Sequence, residues 1–120
     1  MIDHINIGTA DVAASRAFYE RALAPLGYTV IMDMQYGVGM GKDGKPDFWI
    51  SDRPSSAPLH VAFAAPDRAT VDAFHRAALE AGGRDNGAPG PRPQYHPSYY
   101  GAFVLDPEGN NVEAVTHRPE

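Results

Sequence analysis

The feature that most constrains this chain is an internal repeat. Shifting the sequence by 56 residues without a gap pairs His4 with His60, Asp11 with Asp67, Ala13 with Ala69, Ala17 with Ala73, Phe18 with Phe74, Ala22 with Ala78, Leu23 with Leu79 and Gly27 with Gly83, which is 8 identities over 24 positions. Ile5 with Val61 and Ile7 with Phe63 add conservative matches between them. A match of this length covers a whole supersecondary unit, so two similar halves are expected. With 120 residues in all, a half of about 55 residues would bury too little surface to stand alone. The expected organisation is therefore one domain over 1–120, with a first module at 1–53, a linker at 54–57 and a second module at 58–117.

Each copy reads as strand, helix, then glycine. Ile5 and Ile7 alternate with His4 and Asn6, the period-2 pattern of a half-buried strand. Asp11 can cap a helix whose stripe is Ser15, Phe18, Tyr19 and Ala22, and Pro25 with Gly27 ends it. In the second copy Leu59, Val61 and Phe63 form the apolar strand face. Asp67 caps, Val71, Phe74, His75 and Ala78 form the stripe, and Gly82-Gly83 stops the run. Strand-like segments follow at Tyr28–Asp33, Tyr36–Met40 and Asp47–Ser51, with a turn at Gly41-Lys42-Asp43-Gly44, and later at Tyr100–Leu105 and Asn111–Thr116 around Asp106-Pro107-Glu108-Gly109. The fold class expected is α+β, built from two βαβββ modules. The Gly/Pro-rich stretch from Arg84 to Pro97 reads as a long loop, a candidate lid.

Composition narrows the chemistry. The absence of cysteine removes disulfides, thiolate metal sites and a Cys nucleophile, so any metal must be held by His and carboxylate. Ten basic against 15 acidic residues, with the bases scattered, disfavour a nucleic-acid partner. No apolar run approaches a membrane span and the start does not resemble a signal peptide, so a cytoplasmic protein without membrane contact is expected.

His4 and His60 occupy the same place in the two first strands, each opposite the apolar face, and Glu113 lies in the last strand on the face shared by Asn111, Val115 and His117. Two imidazoles and one carboxylate match a facial arrangement that binds a divalent metal and leaves positions open for substrate. Fe²⁺ or Mn²⁺ suits these donors best, with Zn²⁺ or Ni²⁺ compatible. A divalent ion with one carboxylate leaves the site at net +1, which favours a small anionic substrate that chelates through two oxygens. His75 is expected to be a partly buried packing residue and His117 to be solvent-exposed. A homodimer is expected because one cupped pair of small modules would expose sheet edges.

These residues resemble the vicinal oxygen chelate superfamily of glyoxalase I, extradiol dioxygenases, fosfomycin-resistance transferases and bleomycin-resistance proteins. The resemblance rests on His4-Ile5-Asn6-Ile7 with Asp11 and Ser15-Arg16-Ala17-Phe18-Tyr19, on His60-Val61-Ala62-Phe63, and on Asp106-Pro107-Glu108-Gly109-Asn110-Asn111-Val112-Glu113. It implies a cupped, eight-stranded incomplete barrel, a divalent metal often shared across a dimer, and His4, His60 and Glu113 as its ligands. Glyoxalase I adds a fourth ligand in the fourth strand, where this chain has Asp47-Phe48-Trp49-Ile50, so classical glyoxalase I is disfavoured unless Asp47 reaches in. Fosfomycin transferases carry a Thr two places after the first His and a basic group for the phosphonate, whereas this chain has Asn6 and only Arg92 nearby. Extradiol dioxygenases add a His and a Tyr for proton transfer, for which Tyr95, His96, Tyr99 and Tyr100 are the candidates. The expected function is thus a dioxygenase-, isomerase- or transferase-like metalloenzyme. The alternative is a metal-free sequestering protein of the bleomycin-resistance type, binding a flat cationic ligand near Trp49 and Phe48.

Overall fold

The computed structural model describes all residues, 1–120. The first module runs β1 (Ile5–Thr9), α1 (Val12–Ala22), β2 (Thr29–Met34), β3 (Gly37–Lys42) and β4 (Lys45–Asp52). The second runs β5 (His60–Ala64), α2 (Arg68–Glu80), β6 (Arg84–Pro91), β7 (Tyr100–Leu105) and β8 (Asn111–Thr116). Each module folds into its own four-stranded sheet, in the orders β1-β4-β3-β2 and β5-β8-β7-β6. In both, the first strand pairs parallel with the last and the remaining pairs are antiparallel. The repeat read from sequence is therefore a repeat of topology, with two βαβββ units.

Local chemistry explains the helix boundaries. The Asp11 side chain accepts from the Ala14 amide at 3.0 Å, and Asp67 accepts from the Thr70 amide at 2.8 Å and hydroxyl at 2.7 Å. Each bond satisfies a first-turn donor that has no partner within its helix. After α1 a short turn over Ala24–Leu26 ends at Gly27 with φ +84°, a left-handed conformation that glycine adopts without steric cost.

One core of 19 buried residues serves both modules. The helices pack on each other, and Phe48 of β4 meets Phe63 of β5 edge to face at 5.2 Å between ring centres. Polar bonds reinforce this join. Tyr19 on α1 donates to Asp106 Oδ2 at 2.5 Å, and Thr9 donates to Glu108 at 3.0 Å. Asp106 also accepts from the amides of Glu108 and Asn110 and from Asn110 Nδ2, while Asn110 Oδ1 takes the Leu59 amide. The Asp-Pro-Glu-Gly-Asn turn is thus a structural bracket, with Asp106 and Asn110 buried. Burial raises the Tyr19 phenol well above its ordinary pKa, with the Asp106 carboxylate adding to it, so it remains a donor.

The stretch expected as a loop from Arg84 is largely a strand. Residues Arg84–Pro91 form β6 at the edge of the second sheet, paired to β7 with register shifts around Gly87 and Gly90. An edge strand tolerates Pro89 and Pro91 because one side of its backbone needs no ladder donor. The connection reduces to the segment between Pro91 and Tyr100. No helix is long and apolar enough to cross a membrane.

Candidate functional site

On the second sheet the 2.0-residue period puts Glu113 on the face away from α2, opposite its buried neighbours Val112 and Ala114. Its side chain is only 1% exposed. A carboxylate so far out of water requires donors, and two are present. His60 Nε2 lies 2.7 Å from Glu113 Oε1, and the Tyr99 hydroxyl donates to Oε2 in a very short bond. A Cβ at position 101 would stand 3.1 Å from Glu113 Oε2 and 3.2 Å from the Tyr99 ring, so Gly101 provides the room in which carboxylate and phenol meet. Burial, then the bond to Glu113, push the Tyr99 phenol up to about 12, which keeps its proton available for donation.

Around this pair the wall is aromatic and cationic. Phe103 lies 6.1 Å from the His60 ring, and the Arg92 guanidinium sits 5.5 Å from the centre of the Phe103 ring. Arg92 is held there by its own strand, donating to the carbonyls of Ala88, Gly90 and Pro91. The His117 ring packs edge-on against Tyr99 and His96, both at 5.1 Å, and Tyr95 packs against Tyr99 at the same distance. His117 is exposed, as expected from its position after β8.

The other residues singled out from sequence fall elsewhere. Tyr100 points to the helix side, donating to Asp72 at 2.7 Å with Arg68 stacked on its ring, and is not brought to Glu113. His75 is mostly buried on α2 and bonds Asp85 at 3.0 Å. His4, just ahead of β1, is half exposed and bonds Asp3 Oδ1 at 2.8 Å. It opens onto a cavity of about 390 Å³ on the first sheet together with Asn6, Tyr36, Lys45 and Trp49. It also reaches the rim of a cavity of about 470 Å³ between β1 and β5, which His60, Tyr28 and Asp47 share. No three of the His, Asp and Glu side chains of one chain come close enough to hold a common ion. The structure thus joins His60 to Glu113 and leaves His4 apart from them.

Asp47 does not join His4 as a further donor. A register shift between Met40 and Gly41 leaves it without a direct partner on β3, and its Oδ2 accepts from Tyr28 at 3.0 Å. Its Oδ1 is buried without a partner. Trp49, two residues after Asp47 on β4, pairs with Asn6 and shares its cavity.

The donor set fits a divalent metal in chemistry and in part in geometry. Two donors about 2.1 Å from an ion and at right angles stand about 3 Å apart, so His60 and Glu113 at 2.7 Å suit neighbouring coordination positions after a shift of a few tenths of an ångström.

A mixed two-module fold with a His–Glu pair on one sheet and a matching His on the other is that of a vicinal oxygen chelate protein. The chain matches the Glyoxalase/Bleomycin resistance protein/Dioxygenase superfamily over residues 1–114 and belongs to it. Similar solved structures include a glyoxalase/bleomycin resistance protein from Albidiferax ferrireducens T118, at 27% identity and TM-score 0.81 over 97% of each chain. A glyoxalase/bleomycin resistance protein/dioxygenase family enzyme from Burkholderia phytofirmans PsJN matches at 23% identity and TM-score 0.76 over 98% of each. A lactoylglutathione lyase from Agrobacterium tumefaciens shares the fold at 19% identity and TM-score 0.71, over 97% of this chain and 92% of that one. No curated protein matches at a significant level.

Proposed function

We propose that this protein is a divalent-metal-dependent enzyme whose centre is built from two copies of the chain, His60 and Glu113 of one and His4 of the other. Its substrate is a small anion that chelates the metal through two neighbouring oxygens. The observation that carries this reading is Glu113, a carboxylate almost fully removed from water and already paired with an imidazole at 2.7 Å. In a two-fold dimer that set the first sheet of one copy against the second sheet of its mate, symmetry would complete two such centres. Fe²⁺ or Mn²⁺ fits these donors best, and the bound ion would supply Lewis-acid polarisation of the chelated oxygens.

The chain's own residues would do the rest. Tyr99 donates to Glu113 Oε2 and so leaves Oε1, the atom that meets His60 Nε2, to face the ion. Tyr95, His96 and His117 line the approach as groups able to carry a proton. Phe103, with Arg92 above it, excludes water from one side and places a positive charge where an anionic substrate enters. A glyoxalase I reaction is disfavoured, because the side chain at the corresponding place in β4 is Trp49 and Asp47 is bonded to Tyr28.

Subunit complementation tests this. His4→Ala and Glu113→Gln homodimers should each lose Mn²⁺ binding, whereas the isolated His4→Ala/Glu113→Gln heterodimer should regain about one ion per dimer, because one of its two centres has all three donors. Failure of the heterodimer to regain an ion, with the parent protein binding two, would place all three ligands within one chain. An absence of binding by the parent protein to Fe²⁺, Mn²⁺, Ni²⁺ or Zn²⁺ would instead favour a sequestering protein, the reading to which the half-buried indole of Trp49 lends itself.

A further inference from the structure

The two histidines of the proposed centre are restrained in different ways. His60 is the first residue of β5, opposite Asn111, and its Nε2 meets Glu113 at 2.7 Å. His4 lies ahead of β1, whose pairing with β4 starts at Ile5 and Phe48, so no ladder holds its backbone. Its side chain is 54% exposed, and what holds it is Asp3, whose Oδ1 lies 2.8 Å from His4 Nδ1. Lys45, the first residue of β4, donates to the same Oδ1 at 3.2 Å and to the Pro46 carbonyl at 3.3 Å. The segment ahead of β1 is thereby tied to the strand with which β1 pairs.

This arrangement decides where the imidazole keeps its proton. An ionised carboxylate only accepts, so Nδ1 beside Asp3 carries a hydrogen, and in the neutral ring Nε2 is then left with its lone pair. A free histidine side chain has the opposite preference and keeps its proton on Nε2. A metal ion takes the bare nitrogen, so the bond to Asp3 determines which atom His4 offers. The charge also fits. Lys45 balances the Asp3 carboxylate, so the imidazole is oriented without cancelling the positive charge that an ion held by one carboxylate retains.

We infer that Asp3, anchored by Lys45, is the positioning residue of the first half-site, fixing the His4 proton on Nδ1 and leaving the Nε2 lone pair for the divalent ion. The inference rests on the reading that His4 is a ligand of the proposed centre.

Two readouts test it. The first needs no metal: long-range proton–nitrogen correlation spectra of the chelator-stripped full chain, labelled at the histidine nitrogens, at about pH 8.5, where an ordinary imidazole is neutral. His4→Gln identifies the resonances by their loss. His4 should be mainly the Nδ1–H form in the parent protein and mainly the Nε2–H form in Asp3→Ala. The second readout is Mn²⁺ titration by calorimetry, in which Asp3→Ala should bind about tenfold more weakly, the usual cost of removing the partner of a metal-bound histidine. Asp3 is exposed, so the variant should melt with the parent protein, which separates positioning from a role in folding. An Nε2–H His4 in the parent protein, a tautomer that does not change in Asp3→Ala, or a changed tautomer with undiminished Mn²⁺ affinity overturns the inference, and the last of these leaves the centre itself standing. A parent protein that takes up no Mn²⁺ removes the centre and the inference with it, even where the tautomer responds to Asp3.

Discussion

The position that holds Glu113 in the second module holds Trp49 in the first. Asn6 pairs with Trp49 across β1 and β4, and Ala62, its counterpart in the repeat, pairs with Glu113 across β5 and β8. The rows extend to Gly39 and Met32 in one sheet and to Phe103 and Gly87 in the other. In each row an aromatic ring lies over a glycine, Trp49 over Gly39 and Phe103 over Gly87, where a Cβ would come within 2.8 Å of the ring. The ring has moved by one strand between modules. In the second module that displacement frees the last strand for a carboxylate, which His60 and Tyr99 then satisfy. In the first, the last strand carries the indole and the carboxylate is absent. One backbone ladder thus supports a charged half-site and an apolar platform, because a carboxylate needs donors beside it whereas a flat ring needs bare backbone beneath it.

Several variants would break or sharpen this contrast. The largest effect is expected from Glu113→Gln, which should weaken Mn²⁺ binding by at least about 100-fold by titration, since the neutral amide no longer balances the ion. Retained affinity would remove Glu113 from the centre. Tyr99→Phe should weaken Mn²⁺ binding by about tenfold or more, the usual cost of losing a partner that orients a metal ligand, and, because it leaves the buried Glu113 one donor short, should also lower stability by about 1–2 kcal/mol. Trp49→Glu makes the first row resemble the second and places an oxygen donor beside His4. It should tighten Mn²⁺ binding by about tenfold in the dimer, and an unchanged affinity would show that β4 of one copy does not approach the ion.

Smaller effects concern the scaffold. Tyr19→Phe leaves the buried Asp106 short of one donor and should cost about 1–2 kcal/mol in urea denaturation, an effect absent if the bracket between modules carries no stability. The smallest concerns α2. Its cap Asp67 has a carboxyl held below the ordinary 3.8 by the Thr70 hydroxyl, then by the Thr70 amide. A depressed folded-state pKa contributes stability that is present above 3.8 and is lost as pH falls through the lower folded value. Asp67→Asn keeps an acceptor for the amide but removes this proton linkage, so its melting temperature should fall less steeply than the parent's below about pH 4. Parallel acid limbs would show that the cap titrates alike in both states.

Much of this architecture was legible in the chain. The 56-residue offset exposed the duplication, and strand parity put His60 and Glu113 on faces that the structure brings together. Parity could not show that His4 stands apart from them, since that depends on how two modules pack through α1, α2 and the Phe48–Phe63 contact. Nor could it choose Tyr99 among four candidates. The choice follows from the path of the chain before β7 and from the space left by Gly101, while Tyr100, one residue on, turns to Asp72. β6 was hidden because glycine and proline carry no hydrophobic period, and its pairing with β7 defines it instead. The Asp106–Asn110 segment was legible as a turn, and its buried bonds show that it also brackets the two modules.

The sequence by itself determined the repeat, the alternation of faces and the set of residues able to bind a metal, because these follow from local periodicity and side-chain chemistry. The tertiary structure decided which of those residues meet. Pairing Glu113 with His60 and Tyr99, laying Trp49 flat on Gly39 and separating His4 from the pair all depend on contacts between strands far apart in the chain, and such contacts are set by how the two sheets share one core.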